Sequence, residues 1–284
     1  MTTERLSVRA EIAADPADVY RALTDPAALR AWLTDEVDVS ISAGRWRIGG
    51  RHVPFGDSGQ QQLLAAEPGR ELRFAWQLDG IDTVVEIGLT PAGEAGTQLA
   101  IGQAPVPDWG FDRASMLDFW VLAAGNLATF VEGRSLARRP DLSRPAGAAA
   151  VAELTIAAPV ADVFASLTEP DRLNRWIAGG AKVEPRVGGR YDFGWGDEHG
   201  PIEIVEYDAP HRLAYSWHDE GWPDTVVRWR LAPTAEGGTQ VQIRHEGFVA
   251  ERPADGYQLG WLNFGLSLKG MHELGSRWRP IQWA

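Results

Sequence analysis

The chain has 284 residues, a formal net charge of -12, no cysteine and 13 tryptophans. The acidic balance argues against nucleic acid and anionic membranes as partners, because both favour a protein with a basic face. The lack of cysteine excludes disulfides, thiolate catalysis and thiolate metal sites. The polar N-terminus has no apolar signal core, and no stretch approaches 18 consecutive apolar residues, so we expect a cytoplasmic protein.

An internal repeat organises the chain. Residues 12–32 (IAADPADVYRALTDPAALRAW) and 156–176 (IAAPVADVFASLTEPDRLNRW) are identical at 11 of 21 positions without a gap. Further blocks recur in the same order, with an offset that stays close to 142 residues. This offset is too long for a solenoid unit and matches a whole domain, which indicates a tandem duplication. We predict a first domain at 1–137, a Pro- and Arg-rich linker at 138–147 and a second domain at 148–284.

The first half begins with a strand and two short helices. Alternating apolar residues over 5–13 indicate a half-buried strand. Asp15-Pro16 and Asp25-Pro26 each place an N-cap residue before a proline, which predicts two successive short helices. From residue 37 to 101, alternating segments are separated by Gly and Pro turns, and short polar loops of this kind predict an antiparallel meander.

A long helix follows the meander. The segment 104–110 is irregular, and the apolar positions from Ser115 to Val131 then follow the 3, 4, 7 spacing of one helix face. The second half repeats this order and ends in a helix near 257–274. The tail carries Trp278 and Trp283, which we expect to dock on the domain surface or at an interface. Each half is therefore an α+β unit in which a curved antiparallel sheet surrounds a long C-terminal helix and encloses an apolar pocket.

Strand parity predicts which side chains of the second half line this pocket. Residues two apart on a strand share a face, and the alternate positions are mostly Arg and Gln. The predicted inner face and helix side comprise Tyr191, Phe193, Trp195, Leu213, Tyr215, Trp217, Val227, Trp229, Leu231, Val241, Ile243, His245, Trp261, Phe264 and Leu268.

His245 is the candidate catalytic residue, and it has two interpretations. An imidazole titrates near neutral pH, so His245 suits either a polar ligand contact or a general base. Alternatively, it is a core histidine that is hydrogen-bonded to backbone.

The tryptophans also have two interpretations. They are either core residues or a set of which some contact a ligand, and a buried indole N–H requires a partner in both cases. The loop 194–200 contains two acids and His199 between glycines, so it forms either the mouth of the pocket or an exposed hairpin loop. Its glycine spacing is not that of a nucleotide-binding loop.

The two halves differ at the predicted pocket. Gln103 aligns with His245, Trp46 with Tyr191, and Ile87 with Trp229. The first half also has a distinctive His52. Its candidate ligand-binding residues are Trp46, His52, Trp76, Gln103 and Trp120. We expect the second domain to keep the ligand site, and the first domain to act as a scaffold or to bind a ligand of a different shape.

Four blocks of the second half resemble a known family. These are ADVF-x-x-LT-x-P-x-x-L-x-x-W, GGRYDFGW, RLAYSWH and GTQVQIRHEGF, starting at residues 161, 188, 212 and 238. They resemble the activator-of-heat-shock-ATPase-like proteins of the START-like helix-grip superfamily, and the first half resembles them more weakly. The resemblance implies the helix-grip fold. It leaves function open, since the superfamily includes ligand carriers, polyketide cyclases, resistance proteins that sequester toxic metabolites, and co-chaperones.

Three functions are therefore expected. The first is binding of a small hydrophobic, aromatic molecule, as a carrier or by sequestration. The second is a cyclase or hydratase that uses a histidine as acid or base in the same pocket. The third is a co-chaperone that binds a heat-shock ATPase. The six histidines show no close-spaced ligand pair, so we expect neither a metal nor a cofactor.

Overall fold

The computed structural model describes residues 2–3, 5–54, 60–93, 95–107 and 115–284. The chain divides into two compact units, Met1–Pro145 with Ile281–Ala284, and Ala146–Pro280. Each unit combines antiparallel sheets with two short helices and one long helix, which confirms the predicted fold class. Among the described residues, no helix is long and apolar enough to cross a membrane.

The described residues of the first unit form nine strands and three α-helices before the linker. These elements are β1 Thr2–Thr3, β2 Leu6–Ile12, α1 Pro16–Thr24, α2 Pro26–Trp32, β3 Glu36–Ser40, β4 Arg45–Gly49, β5 Gln60–Glu67, β6 Glu71–Leu78, β7 Ile81–Ala92, β8 Gly96–Ala104, β9 Val106–Pro107 and α3 Met116–Val131. The main sheet has the order β2-β8-β7-β6-β5, and β3 pairs with β4.

Three details of the first unit differ from the predicted elements. Ile41 lies within the region predicted as alternating strands, but it begins a 3-10 turn that ends at Gly44. The strand Gln60–Glu67 forms from a stretch, QQQLLAAE, that lacks the alternation on which the prediction was based. Within the predicted irregular segment 104–110, Val106–Pro107 pairs with Thr2–Thr3, and residues 108–110 lie outside the described part of the chain.

The second unit repeats the same order. Its elements are β10 Ala149–Ile156, α4 Val160–Thr168, α5 Pro170–Leu173, β11 Lys182–Val183, β12 Tyr191–Asp192, β13 His199–Asp208, β14 Arg212–Asp219, β15 Thr225–Pro233, β16 Thr239–Glu246 and α6 Asp255–Leu274. Its main sheet, β10-β16-β15-β14-β13, matches the first sheet strand for strand.

The duplication extends to individual hydrogen bonds. Glu132, after the end of α3, accepts a bond from the backbone N–H of Ala13 at 3.1 Å. Glu273, near the end of α6, accepts the equivalent bond from Ala157 at 3.0 Å. In both units, a glutamate at the end of the long helix therefore forms a hydrogen bond to the backbone just after the first strand of the main sheet.

The C-terminal tail joins the first unit. Strand β17, Gln282–Trp283, pairs with the edge strand β2, with Trp283 opposite Val8. The backbones of Ser7 and Ala284 exchange two hydrogen bonds, of 2.8 and 3.0 Å. The predicted second domain extended to residue 284, whereas the compact second unit ends at Pro280. Trp278, by contrast, stays in the second unit and packs against Gly270 of α6.

The segment predicted as a linker makes specific contacts. The backbone N–H of Leu142 donates to the carbonyl of Arg51 at 2.6 Å. His52 Nδ1 lies 2.6 Å from the carbonyl oxygen of Pro140, and because a carbonyl only accepts, the proton must be on Nδ1. Residues up to Pro145 therefore pack with the first unit.

The two predicted N-caps differ in their side-chain bonds. The Asp25 carboxylate accepts a bond from the N–H of Ala28 at 2.7 Å, whereas the Asp15 carboxylate caps none of the described N–H groups of α1. We predict that Asp25→Ala lowers the unfolding free energy by about 1 kcal/mol, and that the control Asp15→Ala lowers it by less than about 0.5 kcal/mol. Urea unfolding measures both, and equal losses would contradict the assignment.

Candidate functional site

Aromatic rings fill the space between the second sheet and α6. The Trp217 ring, on β14, lies 5.5 Å from Trp261 and 5.9 Å from Trp195, between ring centroids. Phe193 lies 6.4 Å from Trp217, and Phe264 lies 5.7 Å from Trp195. Trp217, Trp261 and Phe193 are buried, and Trp195 and Phe264 are half-buried. The structure thus brings together five of the predicted ligand-binding residues.

A second group of rings lies deeper in the same unit. Tyr191 stacks on Tyr215 at 4.5 Å, and the indole of Trp229 donates to the Tyr215 hydroxyl at 3.0 Å. The Tyr191 hydroxyl donates to the carbonyl of Leu167 on α4 at 2.7 Å. Burial raises the pKa of both tyrosines, so their hydroxyls remain protonated. This part of the interior is apolar, uncharged and internally hydrogen-bonded.

His245 connects the long helix to the sheet. The indole of Trp261 on α6 donates to His245 Nδ1 at 3.1 Å. His245 Nε2 lies 2.7 Å from the hydroxyl oxygen of Thr225 on the neighbouring strand β15. Because an indole only donates, Nδ1 must be the acceptor and Nε2 must carry the proton. Thr225 in turn donates to the carbonyl of Trp217 at 3.4 Å.

The surroundings of His245 keep it neutral. The residue is fully buried, and burial, together with the positive charge of Arg252, lowers the pKa of His245 to about 3. Both ring nitrogens already have partners, so proton abstraction would require breaking one of these bonds. This geometry favours the interpretation of His245 as a core histidine, with side chains rather than backbone as its partners.

The first unit builds the same connection with glutamine. Trp120 of α3 donates to Gln103 Oε1 at 2.7 Å, and Gln103 Nε2 donates to the hydroxyl of Thr83 at 2.9 Å. Thr83 donates to the carbonyl of Trp76 at 2.8 Å. Gln103 and His245 occupy equivalent strand positions, opposite Val85 and Val227. An amide can replace the imidazole because each supplies one acceptor and one donor.

The first unit also has an aromatic interior. Trp46 stacks on Phe74 at 4.2 Å and donates its indole N–H to the carbonyl of Leu23 at 2.8 Å. Trp76 lies 6.2 Å from both Phe119 and Trp120. Of the predicted ligand-binding residues of this unit, Trp46, Trp76, Gln103 and Trp120 lie in the interior, whereas the bond described for His52 is to Pro140.

A charged cluster that the sequence did not reveal lies beside Trp217. Asp219 Oδ2 accepts bonds from the Trp217 indole at 3.1 Å and from the Tyr257 hydroxyl at 2.7 Å. Arg252 pairs with the same oxygen at 3.1 Å, and its side chain is only 7% exposed. Burial and the bond to Asp219 raise the pKa of Tyr257. The sequence signal that could have found this cluster is Asp219 itself. It stands two residues after Trp217, so strand alternation places it on the same buried face.

A surface cleft lies next to this cluster. It is lined by Trp222, Pro223, Thr225, Gly247, Phe248, Val249 and Arg252. Its empty space is about 200 Å³, including the part that is open to solvent. The Arg252 guanidinium lies 5.3 Å from the Trp222 ring and 5.4 Å from the Tyr257 ring, which are cation–π distances. Trp222 thus borders an opening on the surface of the second unit.

The loop 194–200, for which the sequence allowed either a pocket mouth or an exposed hairpin, lies beside Trp195 and does not line the cleft. Asp197, Glu198 and His199 are exposed, and the His199 ring lies 6.0 Å from that of Trp195. His218 is bonded at the surface to Asp224, at 2.9 Å. Among the described residues, no group of three or more His, Asp or Glu side chains is placed to hold a metal ion.

The fold and these interiors define a tandem α+β protein with an aromatic interior beneath each long helix. Residues 13–132 and 157–273 match the family model described as activator of Hsp90 ATPase homolog 1-like protein. The two matches cover most of the chain, which therefore belongs to this family and carries its domain twice.

Several solved structures resemble the chain. MLL2253 from Mesorhizobium loti is 24% identical over 45% of this chain and 98% of its own, with a TM-score of 0.40. CalU16 from Micromonospora echinospora is 26% identical over 44% of this chain and 74% of its own, with a TM-score of 0.39. DynU16, from the dynemicin biosynthetic locus, is 19% identical over 95% of this chain and 98% of its own, with a TM-score of 0.33. No curated protein matched the chain.

The equivalence of Gln103 and His245 can be tested by exchange. We predict that His245→Gln changes the unfolding free energy by less than about 1 kcal/mol, because glutamine can keep both hydrogen bonds. His245→Ala should cost about 2–3 kcal/mol, because it leaves the Trp261 indole unpaired and opens a cavity. Chemical denaturation followed by tryptophan fluorescence compares the two variants, and Gln103→His is the reciprocal control. Equal destabilisation by Gln and Ala would contradict the equivalence.

The low pKa of His245 also predicts a pH dependence. Between the ordinary pKa of 6.5 and the folded-state value of about 3, the unfolded chain binds a proton that the folded chain excludes. Stability is therefore lost as the pH falls through this window, by up to about 1.4 kcal/mol per pH unit. His245→Gln removes this contribution, so its stability should fall less steeply than that of the wild type in urea unfolding at pH 4–7. Parallel curves would contradict the neutral, buried histidine.

Proposed function

We propose that this chain binds small hydrophobic, aromatic molecules, as a carrier or by sequestration, with the cleft of the second unit as the entry. The observation that carries this proposal is a continuous series of rings from the cleft to the interior. Phe248, at the cleft, lies 4.6 Å from His245 and 4.9 Å from Tyr257. His245 lies 5.5 Å from Trp217, which lies next to the rings of Phe193, Trp195 and Trp261.

The polar groups beside this series of rings favour an apolar ligand. The indoles of Trp195, Trp217, Trp229 and Trp261 all donate to groups of the chain itself. The Arg252 charge is compensated by Asp219. A ligand therefore needs no polar atoms to pair with groups of this interior. Its binding free energy comes mainly from ring packing and from the removal of apolar surface from water.

The size of the cleft limits how a ligand enters. Sites for drug-sized molecules have volumes of roughly 300–1,000 Å³, whereas the space of about 200 Å³ in the cleft includes the part that is open to solvent. An aromatic molecule therefore requires rim side chains to move before it can enter. Arg252 is held by its buried ion pair, whereas Phe248 is half-buried and Trp222 is 37% exposed. These two rings are the expected gate.

Catalysis by His245 has less support than binding. A general base should have a pKa near the working pH, whereas that of His245 is about 3 and both of its nitrogens are bonded. We therefore propose binding rather than acid–base catalysis as the function of this site.

A matched pair of variants tests the binding site. The neutral probe N-phenyl-1-naphthylamine becomes fluorescent in apolar surroundings, and we predict saturable binding to the wild type. Phe248→Ala should weaken binding about fivefold, since one aromatic contact contributes roughly 1 kcal/mol. The control is Tyr207→Ala, which removes another half-buried ring of the same unit, packed on Phe164 at 5.6 Å; its affinity should change less than twofold. Equal losses in both variants, or no saturable binding, would contradict the proposal.

A further inference from the structure

Trp76 in the first unit is an exception among the buried tryptophans. Its side chain is 0% exposed, and its indole nitrogen is buried without a hydrogen-bond partner among the described residues. Buried indole N–H groups almost always have a partner, because leaving one unsatisfied costs roughly 1–3 kcal/mol. This N–H is therefore a donor that the described part of the chain leaves without an acceptor.

Comparison with the second unit shows what is missing. Trp217 occupies the equivalent strand position, and its indole donates to Asp219, two residues further along. The residue two positions after Trp76 is Leu78, which is fully buried and has no acceptor atom. The duplication has thus kept the indole and replaced its acceptor with an aliphatic side chain.

Two glutamine side chains near Trp76 are already hydrogen-bonded to other groups. Gln61 lies opposite Trp76 on the neighbouring strand, and its amide exchanges two bonds with the backbone of Ile48, of 3.0 and 3.1 Å. Gln103 bonds to Thr83 and Trp120 with its two amide groups. Neither glutamine can turn to Trp76 without giving up a bond it already makes.

The surroundings of Trp76 select the chemistry of an acceptor. Phe74, Phe119 and Trp120 lie 6.2–6.3 Å from the Trp76 ring. All three are buried and none carries a charge. An anion placed among these rings would lose its hydration without gaining a counter-ion, whereas a neutral carbonyl or ether oxygen loses little and satisfies the indole.

We infer that the first unit contains a second ligand site, which takes an aromatic molecule bearing a neutral hydrogen-bond acceptor that receives the N–H of Trp76. This inference rests on the proposed function only in treating an aromatic interior as a ligand site. The two sites differ in chemistry, because Asp219 accepts the equivalent indole N–H in the second unit, whereas no described residue of the first unit accepts that of Trp76.

Two near-isosteric probes isolate the hydrogen bond. 2-Acetylnaphthalene carries a carbonyl acceptor, and 2-ethylnaphthalene has nearly the same shape without one. Equilibrium dialysis should show that the wild type prefers the acetyl probe. Trp76→Phe keeps an aromatic ring and removes the donor, so the preference should fall about 3- to 10-fold, the range of one hydrogen bond. Using the ratio of the two affinities cancels the packing change that both probes share.

Two further variants guard against misfolding and indirect effects. Leu78→Asn supplies an internal acceptor at the position of Asp219 and leaves Trp76 in place, and it should reduce the preference in the same way. Trp32→Phe is the matched control in the first unit, because it removes a buried indole that donates to the carbonyl of Ala22, and it should leave the preference unchanged. An unchanged ratio in both Trp76→Phe and Leu78→Asn, or an equal fall in Trp32→Phe, would overturn the inference. Failure of the wild type to bind either naphthalene would also overturn it, while saturable, Phe248-dependent binding of N-phenyl-1-naphthylamine would leave the proposed function standing.

Discussion

The interior of each unit depends on one buried hydrogen-bonded bridge between helix and sheet. An indole on the long helix donates to a side chain on one strand, and that side chain donates to a threonine on the next strand. The threonine hydroxyl donates a hydrogen bond to a carbonyl on a third strand. Each bond is buried, so a shift of the helix along the sheet would leave polar atoms unsatisfied at a cost of roughly 1–3 kcal/mol each. The bridge thereby fixes the helix register and, with it, the rings that line the interior.

The bridge explains how the two copies could diverge without losing the fold. The central residue needs only one acceptor and one donor, and both Gln103 and the neutral His245 provide them. The positions around it were then able to change. The second unit has Asp219, Tyr257 and Arg252 at its rim, whereas the first has Leu78 at the position of Asp219 and the equivalent indole is left without a partner in the described structure. Under our proposals, the interior of the second unit binds apolar aromatic molecules, and that of the first unit binds aromatic molecules that carry a hydrogen-bond acceptor.

Much of this architecture could be predicted from the sequence. The duplication, the two short helices and the long helix follow from identical residues, proline positions and helical periodicity. Strand alternation correctly placed Tyr215, Trp217, Trp229 and His245 on a buried face, because neighbouring side chains on a strand must point in opposite directions. The resemblance to the activator-of-heat-shock-ATPase-like family is confirmed by the two family matches.

The features that escaped prediction depend on contacts distant in sequence. Asp219 lies in a polar turn sequence, and only the fold brings it to Arg252 and Tyr257, more than 30 residues away. The tail strand β17 pairs with β2 at the opposite end of the chain. For His245, the sequence suggested burial but could not show that Trp261 and Thr225 would occupy both ring nitrogens.

The difference between the two interiors is most directly visible in the indole N–H signals of a ¹H–¹⁵N spectrum, with Trp76 and Trp217 assigned from their phenylalanine variants. On addition of 2-acetylnaphthalene, the Trp76 signal should move downfield as its N–H gains an acceptor, while that of Trp217, already bonded to Asp219, should stay in place. With 2-ethylnaphthalene the downfield shift should not occur. If 2-acetylnaphthalene leaves the Trp76 signal unshifted, or shifts the Trp217 signal downfield instead, the account is contradicted.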